Sequence, residues 1–330
     1  MKKLRWGLLS TARINQALLP PLRSSPRNEL TAVASRDLEK AKAYASERDI
    51  PRAFGSYEAM LADPDVDVIY NPLPNSMHTE WTIKAAQAGK HVLCEKPLAN
   101  TVEEVDAITE AAQKAGVVVM EAFMYRHHPQ TLKVKELIES GAIGKLQLIR
   151  GSFTFKIGSE DDVRLNASLG GGSIWDVGCY PISYARFIVG AEPVEVFGWQ
   201  ITGPGSGVDE TFIGQMRFPD NVHAQFDCGF RSPFRTHIEL VGDKGNITVL
   251  KPFIAKLDEE IIINDGNERR VIVTPGEDLY LGEVENMADA ILEGKSIRVN
   301  MTDSRANVAT IQALLRSAKE GKPITMKETV

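Results

Sequence analysis

A change of period partway along the chain constrains its fold more than any other feature. Up to about residue 122, short apolar runs alternate with amphipathic stretches. The runs are KLRWGLLS, ELTAVAS, AFGS, VDVIYNPLP, HVLCEKP and VVVMEAF. Between them lie helix-patterned segments such as RDLEKAKAYASERDI, HTEWTIKAAQAGK and NTVEEVDAITEAAQKAG. In the last of these, Thr101 and Glu104 have capping-box spacing, and Gly116 closes the pattern. Strands buried on both faces read as continuous apolar runs, and strand–helix alternation builds parallel sheets. Residues 1–122 are therefore expected to form a doubly wound α/β domain.

From residue 123 the pattern differs. One helical segment, PQTLKVKELIESGAIG, leads into long runs in which polar and apolar residues mostly alternate: KLQLIRGSFTF, VEVFGWQIT, DETFIGQMRF, VHAQFDCGF, HIELVGDKGNITVL, EIIIND and RRVIVTP. Alternation with turn dipeptides between runs marks an antiparallel sheet covered on one face. Two late helical segments, LGEVENMADAILEGK and SRANVATIQALLRSAKEGK, complete the pattern. Residues 123–330 are expected to be a second α/β domain with an open, mostly antiparallel sheet.

Composition narrows the function classes. The chain has 330 residues and a net charge of −6, with no basic stripe, so nucleic-acid binding is not expected. Hydrophobic residues make up 43%, enough for two cores, yet no segment approaches the roughly 20 apolar residues of a membrane span. Basic residues precede apolar ones in MKKLRWGLLSTA, but the apolar stretch is too short for a secretory leader. Cys94, Cys179 and Cys228 are widely separated, with no zinc-ligand spacing, so no metal site is expected. Isolated thiols fit a reducing, cytoplasmic compartment.

In open parallel sheets, ligands bind beyond the carboxyl ends of the strands. The first such turn holds Gly7, Ser10, Thr11, Ala12, Arg13 and Ile14. It keeps only the first glycine of a G-x-G-x-x-G turn, but its small residues permit close approach of a pyrophosphate. The alternative is a tight strand–helix turn with capping hydroxyls. Ser35 and Arg36 follow the second strand, where an acidic residue would meet a free ribose hydroxyl. A hydroxyl and a guanidinium suit a 2′-phosphate, which favours NADP over NAD. Leu73, Pro74, Asn75 and His78 follow the third long run, and Glu95, Lys96 and Pro97 follow the fourth. Pro97 keeps Lys96 out of helical geometry. The triplet alone leaves open whether Lys96 is catalytic, solvated or paired with Glu95. In LGGGSIWDVGCYPI, Asp176 and Tyr180 are four apart and would share a helix face.

EKPLA, PLPNSMH and GGGSIWDVGCYPI together resemble the glucose–fructose oxidoreductase/inositol dehydrogenase (Gfo/Idh/MocA) family. The similarity runs over nearly the whole chain, including YLGEVENMADAI and LLRSAKEGKPI. The resemblance implies an N-terminal Rossmann domain and a C-terminal domain whose open sheet builds a homodimer or homotetramer. It implies NAD(P)-dependent oxidation or reduction of sugars, polyols and related alcohols. Tyr180, where many members have histidine, is similar to the branch of NADP-dependent aldose and dihydrodiol dehydrogenases. His127 and His128 fall where the family often lines its substrate pocket, and Arg126 and Arg164 are further pocket candidates. Arg164 is also expected to pair with Asp161 or Asp162.

Tyrosine, with an ordinary pKa near 10, is a poor base at neutral pH unless a nearby ammonium favours the phenolate. The roles expected are thus Tyr180 as general acid/base, Lys96 as its activator and as an orienter of the substrate oxygen, and Asp176 as a ligand of a substrate hydroxyl or of Lys96. An aldose 1-dehydrogenase or ketosugar reductase fits best. The alternatives are a trans-dihydrodiol dehydrogenase, a glycosidase using tightly held NAD, and a non-catalytic NADP-binding regulator.

Overall fold

A computed structural model describes residues 3–326 of the chain. The chain divides into two compact units. One contains residues up to Met124 together with Tyr280–Arg305, and the other contains Tyr125–Leu279 and the residues from Ala306 onward.

The first unit alternates strands and helices: β1 (Leu4–Leu9), α1 (Asn15–Ser24), β2 (Asn28–Ala34), α2 (Leu38–Glu47), β3 (Arg52–Phe54), α3 (Tyr57–Leu61), β4 (Val68–Asn71), α4 (Asn75–Gln87), β5 (His91–Glu95), α5 (Val102–Ala115) and β6 (Val119–Ala122). The strands form one sheet in the order β3-β2-β1-β4-β5-β6, and every pairing is parallel. This is the Rossmann order, and its direction reverses between β1 and β4. Leu8, Leu9, Val33, Ile69, Val92 and Leu93 are fully buried, as central strands covered on both faces require. Thr101 and Glu104 form the expected capping box on α5, and Gly116 ends that helix at φ 66°.

The second unit contains α6 (Pro129–Glu139), β7 (Leu146–Lys156), a π-helical turn (Ile174–Gly178), α7 (Cys179–Val189), β8 (Glu195–Thr202), β9 (Asp209–Arg217), β10 (His223–Gly229), β11 (Arg231–Gly242), β12 (Asn246–Val249), β13 (Glu259–Asn264) and β14 (Arg269–Thr274). After α8 (Leu281–Glu293) and α9 (Met301–Glu320), β15 (Ile324–Thr325) completes a nine-stranded sheet. The sheet order is β14-β13-β12-β11-β7-β10-β9-β8-β15. β7 and β10 pair parallel, and the other pairings are antiparallel, so the sheet is mixed. Ile149, Phe153, Phe226 and Cys228 lie on its buried face, while Trp199, Ile201 and Ile213 are exposed on the other.

One segment departs from a simple division near residue 122. α8 belongs to the first unit rather than the second, because its ridge of Glu285, Asp289 and Glu293 faces Arg27. Spaced four apart, these acids project from one helix side. The Arg27 guanidinium reaches Asp289 at 2.6 Å and Glu293 at 2.9 Å, with Glu285 also paired.

Candidate active site

The turn after β1 is shaped by hydroxyl chemistry. Ser10 sits at φ 87°, in the left-handed region where glycine is usual. Its N–H donates to the Ala34 carbonyl at 2.9 Å, and its Oγ accepts from the Ala12 N–H at 3.2 Å. The Asn15 amide donates to the Ser10 carbonyl at 2.9 Å, while the buried Asn15 Oδ1 has no partner. No side chain caps α1, and its first turn holds no acidic residue. The N–H groups of Asn15, Gln16 and Ala17 turn onto the carbonyls of Ala12, Arg13 and Ile14 at 3.2, 3.2 and 2.9 Å, and a helix start without competing carboxylates suits a pyrophosphate. Thr11, Ala12 and Ile14 are partly exposed around this turn, and Arg13 is exposed. Gly7 has a different use: a Cβ there would lie 2.9 Å from Met60 Sδ and 3.1 Å from Val66 Cγ1. Its missing side chain serves packing inside the unit.

At the end of β2, Arg36 is followed by Asp37, whose carboxylate is engaged by the next helix. Asp37 Oδ1 accepts from the N–H groups of Glu39 and Lys40, at 2.9 and 3.1 Å, and so caps α2. Arg36 is exposed and its charge acts on the Tyr57 hydroxyl. Burial pushes the Tyr57 pKa up, and Arg36 partly offsets this. Ser35 is buried and its Oγ accepts from the Asp37 N–H at 3.3 Å. The guanidinium is thus the group at this edge that can meet a phosphate.

The loops after β4 and β5 are tied to each other. His78 is 1% exposed, with Nδ1 2.7 Å from the Pro97 carbonyl oxygen and Nε2 2.7 Å from that of Leu73. Sequence reasoning assigned His78 to the cofactor, but both its ring nitrogens face backbone carbonyls. Burial pushes its pKa down, the two carbonyls raise it, and Lys96 lowers it further. On the other side, the Leu98 N–H donates to Glu121 Oε1 at 2.8 Å from β6. Lys96 is therefore half-buried in a loop gripped on both flanks, and its bond to Pro97 is cis. Glu95, also expected at the cofactor, accepts the Tyr70 hydroxyl. Burial and then Glu95 push the Tyr70 pKa well up. Pro74 and Asn75 start α4 with no side-chain cap and no acidic residue in the first turn. Asn71 shapes that turn: its amide donates to the His78 carbonyl at 3.2 Å and to Thr82 Oγ1 at 3.1 Å.

In the second unit, Gly170, Gly171 and Gly172 each answer a steric need. A Cβ on Gly171 would lie 2.4 Å from the Arg164 carbonyl oxygen, and Gly172 adopts φ 125°. The chain then enters the π turn carrying Asp176 and passes directly into α7, whose second residue is Tyr180. An ordinary helix was expected here. The observed i→i+5 turn is rare and recurs at functional sites. Tyr180 is 5% exposed, with ring centroids of Phe153 and Phe253 each at 5.3 Å and Tyr125 at 5.8 Å. Arg164 Nε donates to Asp176 Oδ2 at 2.8 Å, and its Nη1 lies 3.3 Å from Asp162 Oδ1. Asp176, then burial opposing it and Asp162, set a raised Arg164 pKa.

Arg126, a pocket candidate by sequence, packs inside the second unit. It is 4% exposed, donates to Ser183 Oγ at 3.2 Å and stacks 4.2 Å over Phe187. His128 caps α6, accepting from the Gln130 N–H at 3.2 Å, and burial lowers its pKa. His127 is likewise buried. Sequence reasoning missed Phe153 and Phe253 around Tyr180, and it missed Asp209 beneath the π turn. Among the described residues, no cluster of His, Cys, Asp and Glu could hold a metal, and no helix is long and apolar enough to cross a membrane.

Residues 4–123 match the oxidoreductase family with an NAD-binding Rossmann fold, and residues 131–248 match the GFO/IDH/MocA C-terminal domain. The chain is 35% identical over 324 residues to D-xylose 1-dehydrogenase (NADP(+)) 2 of Haloferax volcanii, covering 97% of this chain and 99% of the relative. The aldose–aldose oxidoreductase of Caulobacter crescentus, solved with glycerol, superposes with a TM-score of 0.92 at 28% identity, over 98% of this chain and 100% of that one. A 3-ketoreductase of Actinomadura kijaniata, solved with NADP and TDP-benzene, superposes at 0.91 with 29% identity, over 96% and 98%. Both units of the chain, with its parallel Rossmann sheet and its mixed open sheet, therefore belong to the Gfo/Idh/MocA family of oxidoreductases.

Proposed function

We propose that the chain is an NADP-dependent dehydrogenase or reductase acting on a CH–OH group of a sugar. The observation that carries this reading is Tyr180: a phenol walled by three aromatic rings, set at the start of α7 directly after the π turn that bears Asp176. Such a wall suits the apolar face of a sugar ring, and the hydroxyl is the group that can move a proton. The named activities of the relatives, on xylose, aldoses and a keto sugar, support the substrate class.

The residues divide the work. Bound NADP would supply the hydride chemistry. The uncapped starts of α1 and α4 take its phosphates, with Ser10 through Ile14 at one turn and Leu73 through Asn75 at the other. Arg36 takes the 2′-phosphate, a role strengthened because Asp37 already caps α2. Tyr180 accepts the alcohol proton at its Oη during oxidation and returns it during reduction. Lys96 favours the phenolate electrostatically and orients the reacting oxygen. Asp176 binds a substrate hydroxyl and is itself oriented by Arg164.

A second copy of the chain is the partner we infer, held through the exposed sheet face. Trp199, Ile201 and Ile213 are 55%, 66% and 45% exposed there, an unusual apolar group for a free surface. Cys94, Cys179 and Cys228 are buried and form no disulfide among the described residues, which suits a reducing cytoplasm.

The test is reduction of NADP⁺ across a panel of aldoses, inositols and a trans-dihydrodiol, with NAD⁺ and Tyr180→Phe alongside. Turnover of an aldose, preferring NADP⁺ and falling by about 10²–10⁴ in the variant, is expected. An active Tyr180→Phe enzyme would remove Tyr180 from the chemistry.

A further inference from the structure

The π turn has the wrong kind of start for a free-standing helix. Ser173 precedes it and caps none of its own N–H groups. The Ser173 hydroxyl instead donates to Asp209 Oδ2 at 2.6 Å, and the Ile174 N–H donates to the same oxygen at 2.8 Å. Asp209 comes from β9, a separate strand of the sheet below. Its other oxygen occupies the space that Gly172 leaves: a Cβ on Gly172 would lie 2.4 Å from Asp209 Oδ1. The far end of the turn is seated as closely, since a Cβ on Gly178 would lie 2.8 Å from Cys228 Sγ on β10. Asp209 is 5% exposed, so a charge has been placed where water cannot help it.

We propose that Asp209 is a positioning residue for the reaction, whose buried carboxylate anchors the π turn that presents Asp176 and Tyr180. The inference rests on the reading of those two residues as the reacting groups. An unusual turn without a local cap needs an external one, and a carboxylate accepting two donors on one oxygen supplies it. A hydrophobic residue of the same volume would fill the space and leave both donors unpaired. Burial pushes the Asp209 pKa up to about 6, and the Ser173 hydroxyl and Ile174 N–H oppose that rise by holding the carboxylate form.

The experiment compares Asp209→Ala and Asp209→Asn with the full-length parent by amide hydrogen exchange, steady-state kinetics and NADP⁺ binding. In Asp209→Ala, exchange at Ile174–Gly178 should speed at least tenfold while the first unit stays protected. Turnover should fall about a hundredfold, the loss typical of a roughly 1 Å misplacement, with NADP⁺ affinity unchanged. Asparagine keeps one acceptor and should recover part of both effects. If the alanine variant does not fold, Asp209→Asn alone decides, through locally faster exchange and about tenfold lower turnover. Unchanged exchange at the π turn in a folded variant overturns the proposal, as does loosening spread evenly over the second unit. The exchange measurement needs no substrate, so it separates a failed anchor from a failed assignment of the reaction.

Discussion

The loop carrying Lys96 and the turn carrying Tyr180 are fixed by opposite means. The first is held through its backbone, by a histidine on the Pro97 carbonyl and by Glu121 on the Leu98 N–H. Its clamps come from α4 and β6, on either side of it in the stretch β4-β5-β6, where the sheet follows chain order. The turn before Tyr180 is held by one carboxylate from β9, thirty-odd residues further along. A Rossmann edge thus gathers a loop by local sheet order, whereas the open sheet must reach across its own face with a single side chain. Distributed contacts tolerate damage. A single anchor concentrates it.

The largest effect expected is at Lys96 itself. Lys96→Ala should reduce turnover by about 10²–10⁴ with the fold and NADP⁺ binding retained, measured by steady-state rates beside a binding titration. Near-parental turnover would show that the first loop is gripped for a structural reason alone.

The next contrast is pH. The folded pKa of Asp209, about 6, lies above its ordinary 3.8, so the folded state takes up this proton first on acidification. Stability from this group is therefore present at low pH and is lost as pH rises from about 4 through 6, by an amount on the order of 3 kcal/mol. The Cys228 thiol beside it is pushed well up by burial and stays neutral throughout. The stability of the parent relative to Asp209→Asn should accordingly rise between pH 7 and pH 4, measured by denaturant unfolding. A pH-independent difference would mean that the folded carboxyl titrates as it does in the unfolded chain.

His78→Gln sharpens the comparison from the other side. One backbone carbonyl loses its donor, costing about 1–3 kcal/mol of stability. Because Glu121 still holds the loop, turnover should fall only about tenfold, a smaller loss than that from Asp209→Ala. The smallest effect is at the surface: Arg36→Glu should weaken NADP⁺ against NAD⁺ by roughly tenfold, about 1.4 kcal/mol, read as a ratio of kcat/KM.

What could be read from the sequence follows the range of the forces involved. The apolar runs of β1, β2, β4 and β5 announce a parallel sheet because burial on both faces is a local property of each strand. Alternation in β9 and β10 does the same for the open sheet. Thr101 and Glu104 give the start of α5 because a capping box is complete within four residues. The placement of α8 was not legible, since its acids need Arg27, over 250 positions earlier, to reveal where they dock. The π turn escaped because its register is set from outside, by Asp209. His78 and Glu95 were placed at the right edge of the sheet, but only coordinates show that their polar atoms face Pro97, Leu73 and Tyr70. Gly7 opens a glycine-rich turn by position, yet its neighbour is Met60.

The return of α8 to the first unit has a consequence for synthesis. A ribosome that has delivered residue 124 has made every strand of the Rossmann sheet, but the helix that neutralises Arg27 is finished only at residue 293. At about 5–20 residues per second, that helix emerges roughly 10–40 s after the sheet it completes. During translation the first-made unit therefore waits for a late-made segment to complete it.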